Sequence, residues 1–235
     1  MSEFINTIDI LGDEAVATSI VDRSITEFKD DVLTEVGTYA FQGCSSLATV
    51  ALPNCKKIGT YSFSGCSALT EVTDEQFASL TQISNKAFES TKIKKVSLSK
   101  LTSLGNAFAG LTSIAEIRLQ AIKTLTNQCF RQCYGSIKLV DLGACTYIDG
   151  YTFYGCPYIK NLVLRSETLC ALASYTGLCG FSGSTTINTK IYVPRALVDS
   201  YKAATNWSTY ADKFRALEDY TVDGTVTGEL DETKI

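Results

Sequence analysis

Ala40-Phe41-Gln42-Gly43-Cys44 and Ser62-Phe63-Ser64-Gly65-Cys66 are nearly the same five-residue phrase, written 22 residues apart. The phrase returns in the same phase as AFEST (Ala87–Thr91), AFAGL (Ala107–Leu111), CFRQC (Cys129–Cys133) and TFYGC (Thr152–Cys156). Phe41, Phe63, Phe88, Phe108, Phe130 and Phe153 are therefore separated by 22, 25, 20, 22 and 23 residues. Self-similarity at a fixed period of this length marks a repeat architecture. An aliphatic residue stands ahead of each Phe: Val36, Ile58, Ile83, Leu104, Leu125 and Ile148. After each comes an apolar triplet in the pattern L-x-x-V-x-L. The triplets are Leu47/Val50/Leu52, Leu69/Val72, Ile93/Val96/Leu98, Ile114/Ile117/Leu119, Ile137/Val140/Leu142 and Ile159/Leu162/Leu164. The second copy departs from the pattern, with Asp74 in place of the last Leu and a longer loop behind it.

In V-x-L alternate residues point the same way, so each copy predicts one short strand with one buried face. Neighbouring strands then pair in parallel at about 4.8 Å. The segment around Phe turns back on the opposite side, and the ring plugs the interior. One copy buries too little to order itself, so stacking and end caps are required. The expected fold is an α+β repeat solenoid of about six coils over residues 33–189, with a parallel sheet on one side.

Residues 1–32 read as a leader and short N-terminal cap. Within it Ile25-Thr26-Glu27-Phe28 matches the repeat triplet. Asp13 to Val21 reads as a short helix, with Asp13 as N-cap and Val16, Ala17 and Ile20 on one face. Residues 190–217 read as a strand-helix cap. Lys190–Val193 is the last strand. Pro194 opens a helix carrying Leu197, Val198, Tyr201 and Ala204, and a second helix carries Trp207, Tyr210, Phe214 and Leu217. Residues 218–235 form an acidic tail, in which Tyr220–Thr227 is a candidate hairpin turning at Asp223-Gly224, or a strand ordered only by a partner.

The chain contains no histidine. That removes the commonest general base near neutral pH, the usual partner of a nucleophilic Ser or Cys, and the commonest metal ligand. The acidic residues are scattered, and no phosphate-binding or dinucleotide fingerprint is present. The run Gly177-x-x-Gly180-x-x-Gly183 has neither the spacing nor the strand-to-helix setting. Four of the nine cysteines (Cys44, Cys66, Cys133, Cys156) stand three residues after a repeat Phe, and Cys55 and Cys145 share another inward position. That is the phase of small core residues, and the set predicts reduced thiols. Neither a metal site nor a cofactor is expected, and the reading is of a non-enzyme.

Charge is unevenly laid out: the net of −4 comprises −7 over residues 1–35, +8 over 36–217 and −5 over 218–235. The outward strand positions form two rows. One is Thr49, Glu71, Lys95, Glu116, Leu139, Asn161; the other is Ala51, Thr73, Ser97, Arg118, Asp141, Val163. Thr49, Glu71, Lys95, Glu116, Arg118, Asp141 and Asn161 are candidate binding residues, as are Tyr39, Tyr61 and Tyr151 just before the repeat Phe. Lys92, Lys94, Lys95 and Lys100 form the basic cluster, read as a solvated edge. The rows mix signs, unlike the basic stripe of a nucleic-acid binder. The acidic opening does not read as a signal peptide, and the uncharged stretch Thr168–Thr189 is too broken by Gly, Ser and Thr to read as a membrane span.

LPN at Leu52–Asn54, the phrases IGTY (Ile58–Tyr61) and YAFQGCSSL (Tyr39–Leu47), and IYVPRALVDSYKAATNW (Ile191–Trp207) together resemble the BspA-type leucine-rich repeat family. The resemblance covers residues 33–164 and, through the cap, extends to about 217. It implies a leucine-rich repeat stack and a non-enzymatic role as adhesin or interaction module. The opening, FINTIDILGDEAV (Phe4–Val16) with ITEFKDD (Ile25–Asp31), resembles the leader of short repeat proteins of phages and prophages of gut bacteria. That implies a virion tail component contacting other virion proteins or a host-surface protein or glycan, with a homo-oligomer among the possibilities. The alternatives are a bacterial adhesin or protein-interaction module and, remotely, a glycan-acting enzyme. The expected location is the virion if the chain is phage-encoded and the cytoplasm otherwise.

Overall fold

The computed structural model describes residues 6–11, 14–20, 22–126, 128–156, 158–173 and 189–220. The chain winds into a parallel solenoid of about eight turns. Along one side runs a ridge of strands: β3 (Glu27–Lys29), β5 (Thr49–Ala51), β7 (Glu71–Thr73), β9 (Lys95–Leu98), β11 (Glu116–Leu119), β13 (Ile137–Leu142), β15 (Ile159–Leu164), β17 (Lys190–Val193) and β18 (Phe214–Ala216). The register keeps one inward row in line, Val72↔Val96, Val96↔Ile117, Ile117↔Val140, Val140↔Leu162 and Leu162↔Ile191. The ridge divides between β5 and β7, where Leu52 N–H donates to Gln76 O at 2.7 Å.

A second ladder, beyond the single sheet that the repeat pattern predicts, runs through the aliphatic residue ahead of each Phe. Its strands are two residues long: β4 (Glu35–Val36), β6 (Lys57–Ile58), β8 (Gln82–Ile83), β10 (Ser103–Leu104), β12 (Thr124–Leu125), β14 (Tyr147–Ile148) and β16 (Ala171–Leu172). Each contributes one buried residue, too little to announce a strand by alternation.

Between the ladders lies the column of rings. Successive centroids of Phe41, Phe63, Phe88, Phe108, Phe130 and Phe153 are 4.9, 5.4, 5.2, 5.6 and 5.6 Å apart, with planes within 6° of parallel. All six are fully buried. At the head, Phe28 meets Phe41 edge-on at 4.7 Å, so the leading turn closes the column as its triplet predicts. In the departing second copy, Phe77 is fully buried and packs edge-on against Phe63 at 6.3 Å, filling the space that the missing Leu leaves. The Asp74 carboxylate accepts the Ser99 N–H at 3.0 Å.

The eight cysteines among the described residues are all buried, including the six whose phase predicts it. The thiols of Cys66, Cys133 and Cys156 donate to the carbonyls of Phe41, Phe108 and Phe130 one coil back, at 3.1, 3.2 and 3.0 Å. A small apolar group with a weak donor fits the packing and adds a hydrogen bond to the carbonyl of the coil before it. Burial pushes the thiol of Cys55 up to about 11 and that of Cys66 to about 12. A raised folded-state pKa means the neutral thiol is what the fold holds. Stability is therefore intact below the ordinary thiol value of 9.0 and falls as pH climbs from there toward 11–12. Urea midpoints should decline over that window, and a thiol reagent at pH 8 should label these eight thiols only after unfolding.

The residue two after each Phe turns left-handed in every coil: Gly43, Gly65, Gly110 and Gly155 (φ 73–77), but also Ser90 (φ 59) and Gln132 (φ 57). A side chain in this region costs about 1 kcal/mol. Gly110→Ala should thus destabilise by about 1 kcal/mol, because a Cβ there meets nothing within 4 Å and only backbone strain is added. Ser90→Gly should stabilise by about 0.5 kcal/mol, the relief of strain exceeding the extra chain entropy of glycine. Chemical denaturation of the two variants reads both signs.

Three expectations are corrected. The segment predicted as a helix from Asp13 to Val21 is a strand, β2 (Glu14–Ile20), paired antiparallel with β1 (Asn6–Leu11) and in parallel with β4. Val16, Thr18 and Ile20 are β-branched and alternate, and period two prevails over the helical reading of the same residues. At the other end, the helix from Pro194 exists as a 3-10 turn (Arg195–Leu197) running into α1 (Val198–Ala203). The second helix is only a 3-10 turn (Ser208–Lys213), and Phe214 instead begins β18, parallel to β17. Lys190–Val193 is therefore not the last strand. Trp207 and Tyr201 close the interior, Trp207 Nε1 donating to Cys170 O at 2.6 Å and Cys170 N–H to Tyr201 Oη at 2.8 Å. Beyond Tyr220, the predicted hairpin lies outside the described residues, as do Asp13 and the Gly177–Gly183 run.

Candidate binding surfaces

The ridge displays its outward rows unequally. Thr49 and Glu71 are exposed, Lys95 and Glu116 are half-buried, and Leu139 and Asn161 are buried. In the second row Arg118 is half-buried while Asp141, at 1% exposure, and Val163 are buried. The expectation that both outward rows are open is corrected for Asp141 and Asn161, which are buried. Leu139, Val163 and Tyr192 form a second apolar cluster on the outward side, with Leu217 packed against it. The unbroken runs Leu139-Val140 and Leu162-Val163-Leu164 carried this signal, since a strand buried on both faces loses its alternation.

Charge on this face is internally matched. Arg118 bonds Glu116 at 2.5 Å and reaches Asp141 at 3.5 Å, and Arg165 clamps both oxygens of Asp141 at 2.7 and 2.9 Å. The Asn161 side-chain amide donates to Lys138 O at 3.1 Å. Four residues that sequence singles out, Glu116, Arg118, Asp141 and Asn161, are thus drawn into structural bonding, leaving Thr49 and Glu71 exposed and Lys95 half-buried on the rest of the ridge.

The tyrosines ahead of the repeat Phe do not converge. Tyr39 and Tyr61 occupy adjacent coils and stack at 5.3 Å with planes 12° apart, Tyr39 being 51% exposed. The Lys86 ammonium sits 5.2 Å from the Tyr61 ring centre and pairs with Glu89 at 3.1 Å. Hydrogen bonding to Tyr61 and then to Glu89 raises the Lys86 pKa. Tyr151 belongs to a distant coil, where it meets Tyr154 edge-on at 5.7 Å, with the Arg131 guanidinium 5.8 Å from the Tyr154 ring. Tyr39, Tyr61, Lys86 and Gln128 share one repeat position, and all adopt positive φ (55–62). Sequence reasoning missed Tyr134, Tyr147, Tyr154 and Tyr158, all exposed. They have no counterparts at the same phase, so the repeat pattern could not flag them.

Among the described residues, no group of three or more His, Cys, Asp or Glu side chains is arranged to hold a metal ion, and no helix is long and apolar enough to cross a membrane.

Comparison with known proteins adds a family. The model of the BspA type leucine rich repeat region matches in six copies, over residues 34–160 and 81–194. No curated protein sequence matches the chain. Among solved structures, a leucine-rich repeat protein from Bacteroides ovatus is similar at 20% identity and TM-score 0.47, over 80% of this chain and 62% of its own. A T. pallidum leucine-rich repeat protein shows 22% identity and TM-score 0.45, over 65% of this chain and 86% of its own. The pneumococcal vaccine antigen PcpA shows 17% identity and TM-score 0.41, over 84% of this chain and 44% of its own.

Proposed function

We propose that this chain, which belongs to the BspA-type leucine-rich repeat family, is a non-enzymatic binding and structural module serving as a phage or prophage virion protein at the tail. The observation that carries the binding reading is the strained row of Tyr39, Tyr61 and Lys86. Glycine would relax the backbone at these left-handed positions, yet two aromatic rings and a cation stand there. Strain of this kind is retained where the side chain serves a contact. Tyr39 offers a half-exposed ring, pre-stacked on Tyr61, at little further cost in side-chain entropy. The ring pair is the surface that contacts other virion subunits or a host-surface protein or glycan, and Thr49, Glu71 and Lys95 offer a second contact on the ridge.

The virion role is supported by the leader, FINTIDILGDEAV with ITEFKDD, and its resemblance to the leaders of phage repeat proteins. It implies location in the particle, and in the cytoplasm for a bacterial gene product. Mass spectrometry of purified particles from the host strain tests it, with the protein expected at structural stoichiometry. Absence from the particles returns the chain to the adhesin or interaction-module class. Tyr39→Ala/Tyr61→Ala should abolish capture of the particle partner without lowering the melting temperature. Unchanged capture removes the tyrosine pair from the interface.

A further inference from the structure

A second surface lies on the flank where each turn enters the ridge. Lys138 in β13 and Lys160 in β15 are cross-strand neighbours, set between the paired rows Ile137↔Ile159 and Leu139↔Asn161. The backbone ladder Lys94 N–H to Thr70 O, Ala115 N–H to Lys94 O and Lys138 N–H to Ala115 O places Lys94 in the same row. Lys92 stands two residues ahead of Lys94, and all four lysines are exposed. The row Thr70, Lys94, Ala115, Lys138, Lys160 contains no acidic residue. Lys92, Lys94 and Lys138 make no ion pair among the described residues. Lys95 in the neighbouring row differs, since the residues opposite it in the adjacent strands are the acidic Glu71 and Glu116.

Like charges directly opposite in adjacent strands destabilise a sheet, at a separation of about 4.8 Å. Lys138 and Lys160 stand in that relation, Lys94 lies two strands away beyond Ala115 in the same row, and Tyr158 (46% exposed) is one residue ahead of Ile159, at the position Lys92 holds ahead of Ile93. We propose that this lysine row binds a linear anionic glycan, its carboxylate or sulfate groups on the ammonium groups and a sugar face on Tyr158. An acidic peptide fits less well, because β9, β11, β13 and β15 are hydrogen-bonded on both sides and offer no free strand edge. A nucleic acid fits less well on a chain of net charge −4 with so short a basic strip.

Polygalacturonate and dextran sulfate, with neutral dextran as reference, are the probes for biolayer interferometry on the intact protein. The expected result is binding to at least one polyanion, weakening with salt, and none to dextran. Lys94→Gln/Lys138→Gln/Lys160→Gln should weaken it at least about tenfold, and Lys100→Gln/Lys123→Gln, on the other flank, less than about twofold. Tyr158→Ala should weaken binding as well. Absence of binding to both polyanions, equal losses in the two lysine sets, or equally tight lysine-dependent binding of duplex DNA overturns the proposal. The Tyr39→Ala/Tyr61→Ala protein should keep its glycan binding, so this inference and the virion-contact reading fail separately.

Discussion

Phe108→Ala should lower the folding free energy by about 4 kcal/mol. The ring is fully buried and lies 5.2 Å from Phe88 and 5.6 Å from Phe130, with parallel planes on both sides. Truncation removes the ring's transfer free energy and opens a void that the neighbouring coils cannot close, because each is tied to the next by backbone bonds such as Phe108 N–H to Cys129 O at 3.2 Å. In a stack whose stability is a sum of neighbour interfaces, a gap in the middle disconnects the two halves. Urea unfolding should show a lower midpoint and a broadened or split transition. Phe108→Leu, which keeps most of the volume, should lose about 1–2 kcal/mol with a single transition, which separates the loss of volume from the loss of the fold. A drop below about 1 kcal/mol for Phe108→Ala would mean that the column bears little of the load.

Gly59→Ala is expected to cost about 3 kcal/mol for a different reason. A Cβ there would lie 2.8 Å from Gly37 C, Thr38 N and Val36 O, all backbone atoms of the preceding coil. Gly59 N–H donates to Val36 O at 2.7 Å, so the coils cannot separate without losing that bond. The same phase holds Ser84, Thr126 and Asp149 in other coils. The phase itself therefore does not demand glycine; the requirement is local to coils that approach as closely as Gly59 does to Val36–Thr38, and as Gly105, at the same phase, does to Ser84 and Asn85. Ser84→Ala should be within about 0.5 kcal/mol of the wild type, and thermal melts of the two variants make the comparison.

The interior was legible because every copy spends the same residue types at the same phase. The Phe column, the inward Val/Ile/Leu rows and the buried cysteines follow from residue identity and period alone, and the Ile25–Phe28 echo places a leading turn. What escaped has physical causes. The strands of the second ladder are two residues long and carry no alternation of their own. Val16, Ala17 and Ile20 satisfy helical spacing as well as a strand, and pairing with β1 and β4 decides between them. Phe77 sits in the loop of the irregular copy, outside the phase that makes its neighbours readable. On the candidate surfaces an outward strand position does not guarantee exposure: Asp141 and Asn161 are buried, as are Leu139 and Val163 in the same rows. The stacked Tyr39–Tyr61 pair was legible as residues but not as a strained pair, because nothing in the residue type announces a positive φ.

The shared column is tested most directly by double-mutant cycles on its rings. Phe88→Leu with Phe108→Leu should show a coupling energy of about 1 kcal/mol, as expected for rings in contact. Phe41→Leu with Phe153→Leu, at the two ends of the stack with four rings between them, should be additive within about 0.5 kcal/mol. Additivity in the adjacent pair, or equal coupling in the distant one, would contradict a single column built ring upon ring.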